Sequence, residues 1–247
     1  MEELTPMMQK YLETKKEHPD CILFYRLGDF YEMFFEDALT ASKELEITLT
    51  GKSCGLKERA PMCGVPYHAV DGYLNKLVSK GYKVAICEQV EDPKQAKGLV
   101  KREVTRIVTP GTNLNIQGNE EERNHFIMSI AYFQGKTGIS IGDVTTGDYY
   151  LTEVEDNKKL LDEINKYTPR EIICNDAFQV SGIDLEDLKG RLHIALYALE
   201  PHFFDEDRCR KSLLKHFRVN TLQGMGIEDF PAGLIAAGSL MQYLIDT

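Results

Sequence analysis

The stretch Arg26-Leu27-Gly28-Asp29-Phe30-Tyr31-Glu32-Met33-Phe34 decides how the first half of this chain is read. Gly28-Asp29 is a turn signal between two aromatic, strand-like runs, residues 21–26 and 30–34, so a short extended segment starts at Phe30. Side chains alternate across a strand. Phe30 and Glu32 therefore point the same way, about 6.6 Å apart at a rise of roughly 3.3 Å per residue, while Tyr31 and Met33 face the other side. If the face carrying the ring and the carboxylate is buried, the carboxylate needs a partner; if it is exposed, the ring is a wedge able to enter something apolar and flat. An aromatic in a strand is core more often than ligand, and the pattern alone does not choose.

Outward from this stretch, Thr5-Pro6 marks a helix start, with Thr5 as cap, and Met8, Tyr11 and Leu12 supply an apolar stripe that ends at His18-Pro19. Residues 36–45 read as a helix, 47–50 as a strand and 51–60 as a polar loop holding Lys52, Lys57 and Arg59. A short amphipathic helix over 70–80 is closed by Gly81, and strands follow over 82–90 and 100–109. In the last of these, strict alternation puts Arg102 and Arg106 on one face with Val100, Val104 and Val108. The first domain is thus mixed α/β with a small sheet.

Residues 113–124, polar and poor in apolar side chains, read as a linker between a domain over 1–112 and another over 125–247. The second opens with three β-rich runs, 125–133, 138–144 and 147–154, as an antiparallel meander. A helix over 157–167, strands over 171–174 and 192–199, and helices near 205–217 and 232–245 complete an α/β pattern. The apolar run 234–245 reaches almost to Thr247 with no polar tail, which reads as a truncated chain.

The 247 residues are 43% hydrophobic, enough for buried cores, and the start shows neither a signal peptide nor a transmembrane run. Cys21, Cys54, Cys63, Cys87, Cys174 and Cys209 stand singly, without zinc-type spacing, and read as reduced cytosolic thiols. A net charge of −10 argues against a general nucleic-acid binder, but it is unevenly spread. Residues 1–115 carry 16 Lys+Arg against 17 Asp+Glu, and the remainder 13 against 22. Lys94, Lys97, Lys101, Arg102 and Arg106 form a local cationic strip opposed only by Glu103, a candidate phosphate-facing edge or a charge-protected edge strand.

Gly135-Lys136-Thr137 imitates the end of a phosphate loop, but Ile130 stands where the motif needs glycine, and a hairpin turn is the better reading. Gly224-Met225-Gly226 lacks the third glycine of a dinucleotide fingerprint. Asp143, with Asp148, Glu163 and Asp176 as imaginable companions, suggests a metal-dependent nuclease, yet Asp143-Val144-Thr145-Thr146-Gly147 is equally a turn whose Asp caps local amides.

The run from Gly28 to Phe34 resembles the mismatch-binding motif of the bacterial MutS family of DNA mismatch-repair proteins. Three more stretches resemble the same family in the same order: Pro61-Met62-Cys63-Gly64-Val65-Pro66-Tyr67-His68-Ala69-Val70, Val84-Ala85-Ile86-Cys87-Glu88-Gln89-Val90-Glu91-Asp92-Pro93 and Arg106-Ile107-Val108-Thr109-Pro110-Gly111-Thr112. The resemblance implies a mismatch-recognition domain over 1–112 and an RNase-H-like connector domain over 125–247. It implies that Phe30 stacks on a mispaired base and Glu32 hydrogen-bonds to it, with Arg102, Arg106, Lys52 and Arg59 as candidate contacts to the DNA backbone. The family's ATPase, with its ATP and magnesium, has no counterpart here, so no catalytic residue, cofactor or metal is expected in this chain. A MutL-like partner at the connector, a homodimer in the full-length protein and a cytoplasmic, nucleoid-associated location are further implications. The alternatives are a nuclease centred on Asp143 and a non-catalytic protein-interaction scaffold in which Phe30 is core.

Overall fold

A computed structural model describes residues 3–91, 98–114 and 124–247. Lys94 and Lys97 of the cationic strip and most of the expected linker lie outside the described residues. The chain forms two compact units, Met1–Ile116 and Gln117–Thr247.

The first unit contains α1 (Pro6–Glu17), β1 (Cys21–Leu27), β2 (Phe30–Phe34), α2 (Phe35–Leu45), β3 (Thr50–Lys52), β4 (Ala60–Pro66), α3 (Val70–Val78), β5 (Lys83–Gln89) and β6 (Arg102–Val108). The sheet order is β3-β4-β2-β1-β5-β6, and β1 with β5 is parallel while every other neighbouring pair is antiparallel. Alternation along each strand feeds two cores. Ile22, Phe24, Tyr31, Met33, Val65, Val84 and Ile86 pack under α2 and α3; Leu23, Tyr25, Phe34, Ala85 and Cys87 pack under Met8 and Tyr11 of α1. Asp37 ties α1 to the sheet, accepting from the Leu23 N–H at 2.9 Å and pairing with Lys15 at 2.9 Å.

Several expectations are corrected here. Thr5 stands at the N-cap of α1 without a side-chain bond, and its N–H instead donates to the Cys54 carbonyl at 2.8 Å. The strand expected at 47–50 begins at Thr50. Ile47 instead closes α2, its N–H donating to the Ser42 carbonyl while Glu46 adopts φ 58°, and its side chain packs on the core below the helix. The expected loop 51–60 therefore holds part of β3 and the start of β4. The strand β4 was not expected; its prolines, Pro61 and Pro66, sit near its ends, where ladder bonds are dispensable.

In the second unit, β7 (Phe126–Phe133), β8 (Lys136–Asp143) and β9 (Tyr149–Val154) form the expected meander, followed by α4 (Asn157–Tyr167) and β10 (Glu171–Cys174). Then come α5 (Asp176–Gln179), α6 (Leu185–Arg191), β11 (Ala195–Ala198), α7 (Glu206–Phe217) and α8 (Pro231–Asp246). Sheet order is β11-β10-β7-β8-β9, with β10 parallel to both β7 and β11. Three antiparallel strands followed by alternating helix and strand is the RNase-H-like order. The short α5 and α6 were not expected, being too brief to show a helical period. The hairpin between β7 and β8 turns at Gln134-Gly135, so Gly135-Lys136-Thr137 serves a turn and the start of a strand.

Candidate nucleic-acid interface

Phe30 opens β2 at the tip of the β1–β2 hairpin, paired in register with Leu27 and Pro66. Gly28 takes φ 59°, a conformation with a steric cost for other residues, and so permits the tight turn before it. The turn is fastened from several sides. Arg26 donates through Nε to the Gly28 carbonyl at 2.6 Å, and the Tyr67 N–H donates to the Asp29 carbonyl at 2.9 Å. The Arg26 guanidinium lies 3.9 Å from the Tyr67 ring centroid and 3.5 Å from Glu88, which also accepts from the Tyr31 hydroxyl. That hydrogen bond and burial push the Tyr31 phenol up to about 12, with burial the larger cause.

On this anchored tip Phe30 is 47% exposed, while Tyr31 and Met33 on the opposite face are core. Phe34, two residues beyond Glu32 on the same face as Phe30, is covered by Tyr11 of α1, ring centroids 4.9 Å apart. The cover of α1 thus ends before Glu32 and Phe30. Glu32 stands opposite Gly64 of β4, whose missing side chain leaves the space that the Glu32 stem and the Phe30 ring border. From its place opposite Ala60, Lys52 of β3 reaches diagonally over β4 to the Glu32 carboxylate, Nζ to Oε2 at 2.5 Å, with Glu32 17% and Lys52 34% exposed. Lys52 also lies 5.6 Å from the Phe34 ring centroid.

The four candidate phosphate contacts do not form one strip. Lys52 is engaged by Glu32. Arg59 is exposed, its side chain lying over Gly51. Arg102 is half-buried, donating to the Arg26 and Val100 carbonyls at 2.6 and 2.8 Å and sitting 5.3 Å from the Tyr25 ring centroid. A bulge between Ile86 and Cys87 breaks the register of β6, so that Cys87 pairs with Val104 and Ile86 with Arg106. The extra residue, Thr105, inverts the alternation after it. Val104 and Ile107 consequently share the α1 face and Val108 the other, which separates Arg106 from Arg102, contrary to the strict alternation read from the sequence. Lys101 is paired with Glu103 at 2.5 Å.

Asp143 ends β8, 2% exposed, and its Oδ1 accepts from Thr145 N–H at 2.9 Å, Thr145 Oγ1 at 2.6 Å and His125 N–H at 3.3 Å. Burial pushes its carboxyl up, but these hydrogen bonds outweigh it and leave the group below its usual range. Two of the companions imagined for it are used locally: Asp148 accepts from Thr146, and Glu163 pairs with Lys166. Among the described residues no group of three or more His, Cys, Asp or Glu converges. Asp143 holds a turn.

Sequence reasoning missed Arg26, Tyr67, Glu88 and Gly64 as builders of the tip. All four lie inside the quoted stretches, but that they meet at the tip is decided only by tertiary pairing.

Residues 5–117 match the family model for MutS domain I, and residues 125–247 match that for MutS domain II. The DNA mismatch repair protein MutS of Lachnoclostridium phytofermentans is 63% identical over 247 residues, covering 100% of this chain and 26% of that protein. Those of Ruminiclostridium cellulolyticum and Acetivibrio thermocellus are each 49% identical, covering 99% and 100% of this chain and 28% of each protein. The chain spans about a quarter of the length of these curated relatives. With both domain models matched in order over nearly its whole length, the chain belongs to the MutS family of DNA mismatch repair proteins.

Proposed function

We propose that the first unit recognises mismatched or unpaired bases in duplex DNA, with Phe30 as an inserting wedge and Glu32 as a base-contacting carboxylate. The observation that carries this reading is the 47% exposure of Phe30 on a tip otherwise fastened by side-chain and backbone bonds. Opening a paired step costs a few kcal/mol, and a mispair has already lost part of that stability, so an aromatic ring enters weak spots preferentially. The π-face stacks on any base, which suits a reader of many mispairs. Glu32 supplies selectivity: its charge opposes phosphates on every duplex, whereas only an opened base has a donor to spare for it. The second unit is assigned the connector role that its domain match suggests, and ATP and magnesium are assigned to no residue of this chain.

The test is equilibrium binding of the intact protein to a duplex with one mispair and to its paired counterpart. Phe30→Ala is expected to remove most of the preference for the mispair. Glu32→Ala is expected to raise affinity for paired DNA, since it removes a repelling charge and frees the Lys52 ammonium, so the preference falls again. Equal weakening of both duplexes by each variant sinks the proposal.

A further inference from the structure

We propose that Lys52 is a positioning residue for Glu32, holding one carboxylate oxygen so that the other is presented to a base, and offsetting the carboxylate charge against the phosphates. This rests on the base-contacting reading of Glu32 given above. Lys52 and Glu32 sit on β3 and β2, two strands that are not neighbours; Lys52 pairs with Ala60 and Glu32 with Gly64, so the lysine reaches diagonally across β4, past the Phe34 ring, to a carboxylate whose stem lies where Gly64 has no side chain. The ammonium takes Oε2 at 2.5 Å, while Oε1 has no partner among the described residues. A carboxylate has two oxygens with acceptor sites to spare, so a bond to Lys52 leaves Oε1 competent to accept from a base.

The pair has two physical consequences. A lone carboxylate on a flexible stem must be ordered when it meets a base, and that entropy is already spent where an ion pair holds it in place. A lone carboxylate also meets the full repulsion of the duplex, which the adjacent ammonium offsets in part. Both effects act through Glu32, and the first is felt only when a base offers a donor. Lys52 thereby supports discrimination, and not merely affinity. A plain phosphate contact behaves differently: its loss weakens all duplexes alike and lowers the salt slope by about one, whatever residue stands at position 32.

A double-mutant cycle separates these roles. The intact protein, Lys52→Met, Glu32→Ala and the double variant are each titrated against the mispaired and the paired duplex, with thermal melts confirming that all are folded. The expected result is that Lys52→Met lowers the ratio of mispaired to paired affinity about five-fold, within the range of contact coupling energies, and leaves that ratio unchanged in the Glu32→Ala background. An unaltered ratio on Lys52→Met alone, or the same fall with and without Glu32, overturns the inference. A Glu32→Ala protein with undiminished preference instead overturns the reading of Glu32 on which it rests.

Discussion

Phe30 and Phe34 share a strand, a face and a residue type, yet have opposite fates. Phe34 is 1% exposed beneath Tyr11, and Phe30 is 47% exposed beyond the end of that cover. Truncating them should separate stability from recognition. Phe34→Ala is expected to cost about 3–5 kcal/mol, as for other buried phenylalanines. Phe30→Ala should stay within about 0.5 kcal/mol, the range of an exposed site away from core contacts. Urea unfolding of the two variants checks this, and a large loss from Phe30→Ala would return that ring to the core. Glu32 shows the same dependence on place, because its charge is met by a lysine twenty positions along the chain.

At the scale of elements, α8 shows how closely a helix can be seated on a sheet. A side-chain carbon added at Gly138 of β8 would lie 1.9 Å from the Ala232 carbonyl oxygen, a backbone atom that cannot swing aside. The helix start is also held by Glu153 of β9, whose Oε1 accepts from the Ala232 and Gly233 N–H groups at 2.7 and 3.2 Å. A carboxylate there satisfies orphan donors and meets the positive end of the helix dipole. Gly138→Ala is expected to cost more than the roughly 1–3 kcal/mol typical of overpacking, since the clash is with backbone. Thermal unfolding of that variant beside Gly135→Ala gives the comparison: the latter touches nothing but has φ 83°, so it incurs only conformational strain. An unchanged melting temperature for Gly138→Ala would disprove the close seating.

Across the whole molecule, all six cysteines are buried and free. Burial pushes the thiols of Cys21, Cys63, Cys87, Cys174 and Cys209 from 9.0 up to about 12. Between those values the folded chain keeps protons that the unfolded chain releases. The stability from these thiols is therefore full below about pH 9 and is lost as pH rises through 12. Urea midpoints measured at pH 7.5, 9 and 10.5 should fall over the last interval, and native thiols should resist iodoacetamide at pH 8 until the chain is unfolded. A flat alkaline profile, or rapid alkylation of the native protein, would contradict this.

What the sequence determined by itself is local: the turn at Gly28-Asp29, the alternation that puts Phe30 and Glu32 on one side, the meander opening the second unit, and the helix over Asn157–Tyr167. These follow from periodicity and turn chemistry, which act within a few residues. The strand Ala60–Pro66 was hidden by its own prolines and glycine, and the opposite facing of Arg102 and Arg106 arose from one bulged residue that no residue type announces. Whether Phe30 was core or surface depended on where α1 stops covering the sheet, and whether Lys52 stood free depended on the strand order that brings β3 within reach of Glu32 across β4. Those answers belonged to the tertiary structure, because burial and charge pairing are set by neighbours distant in the chain, and alternation tells which side a residue faces but not what lies there.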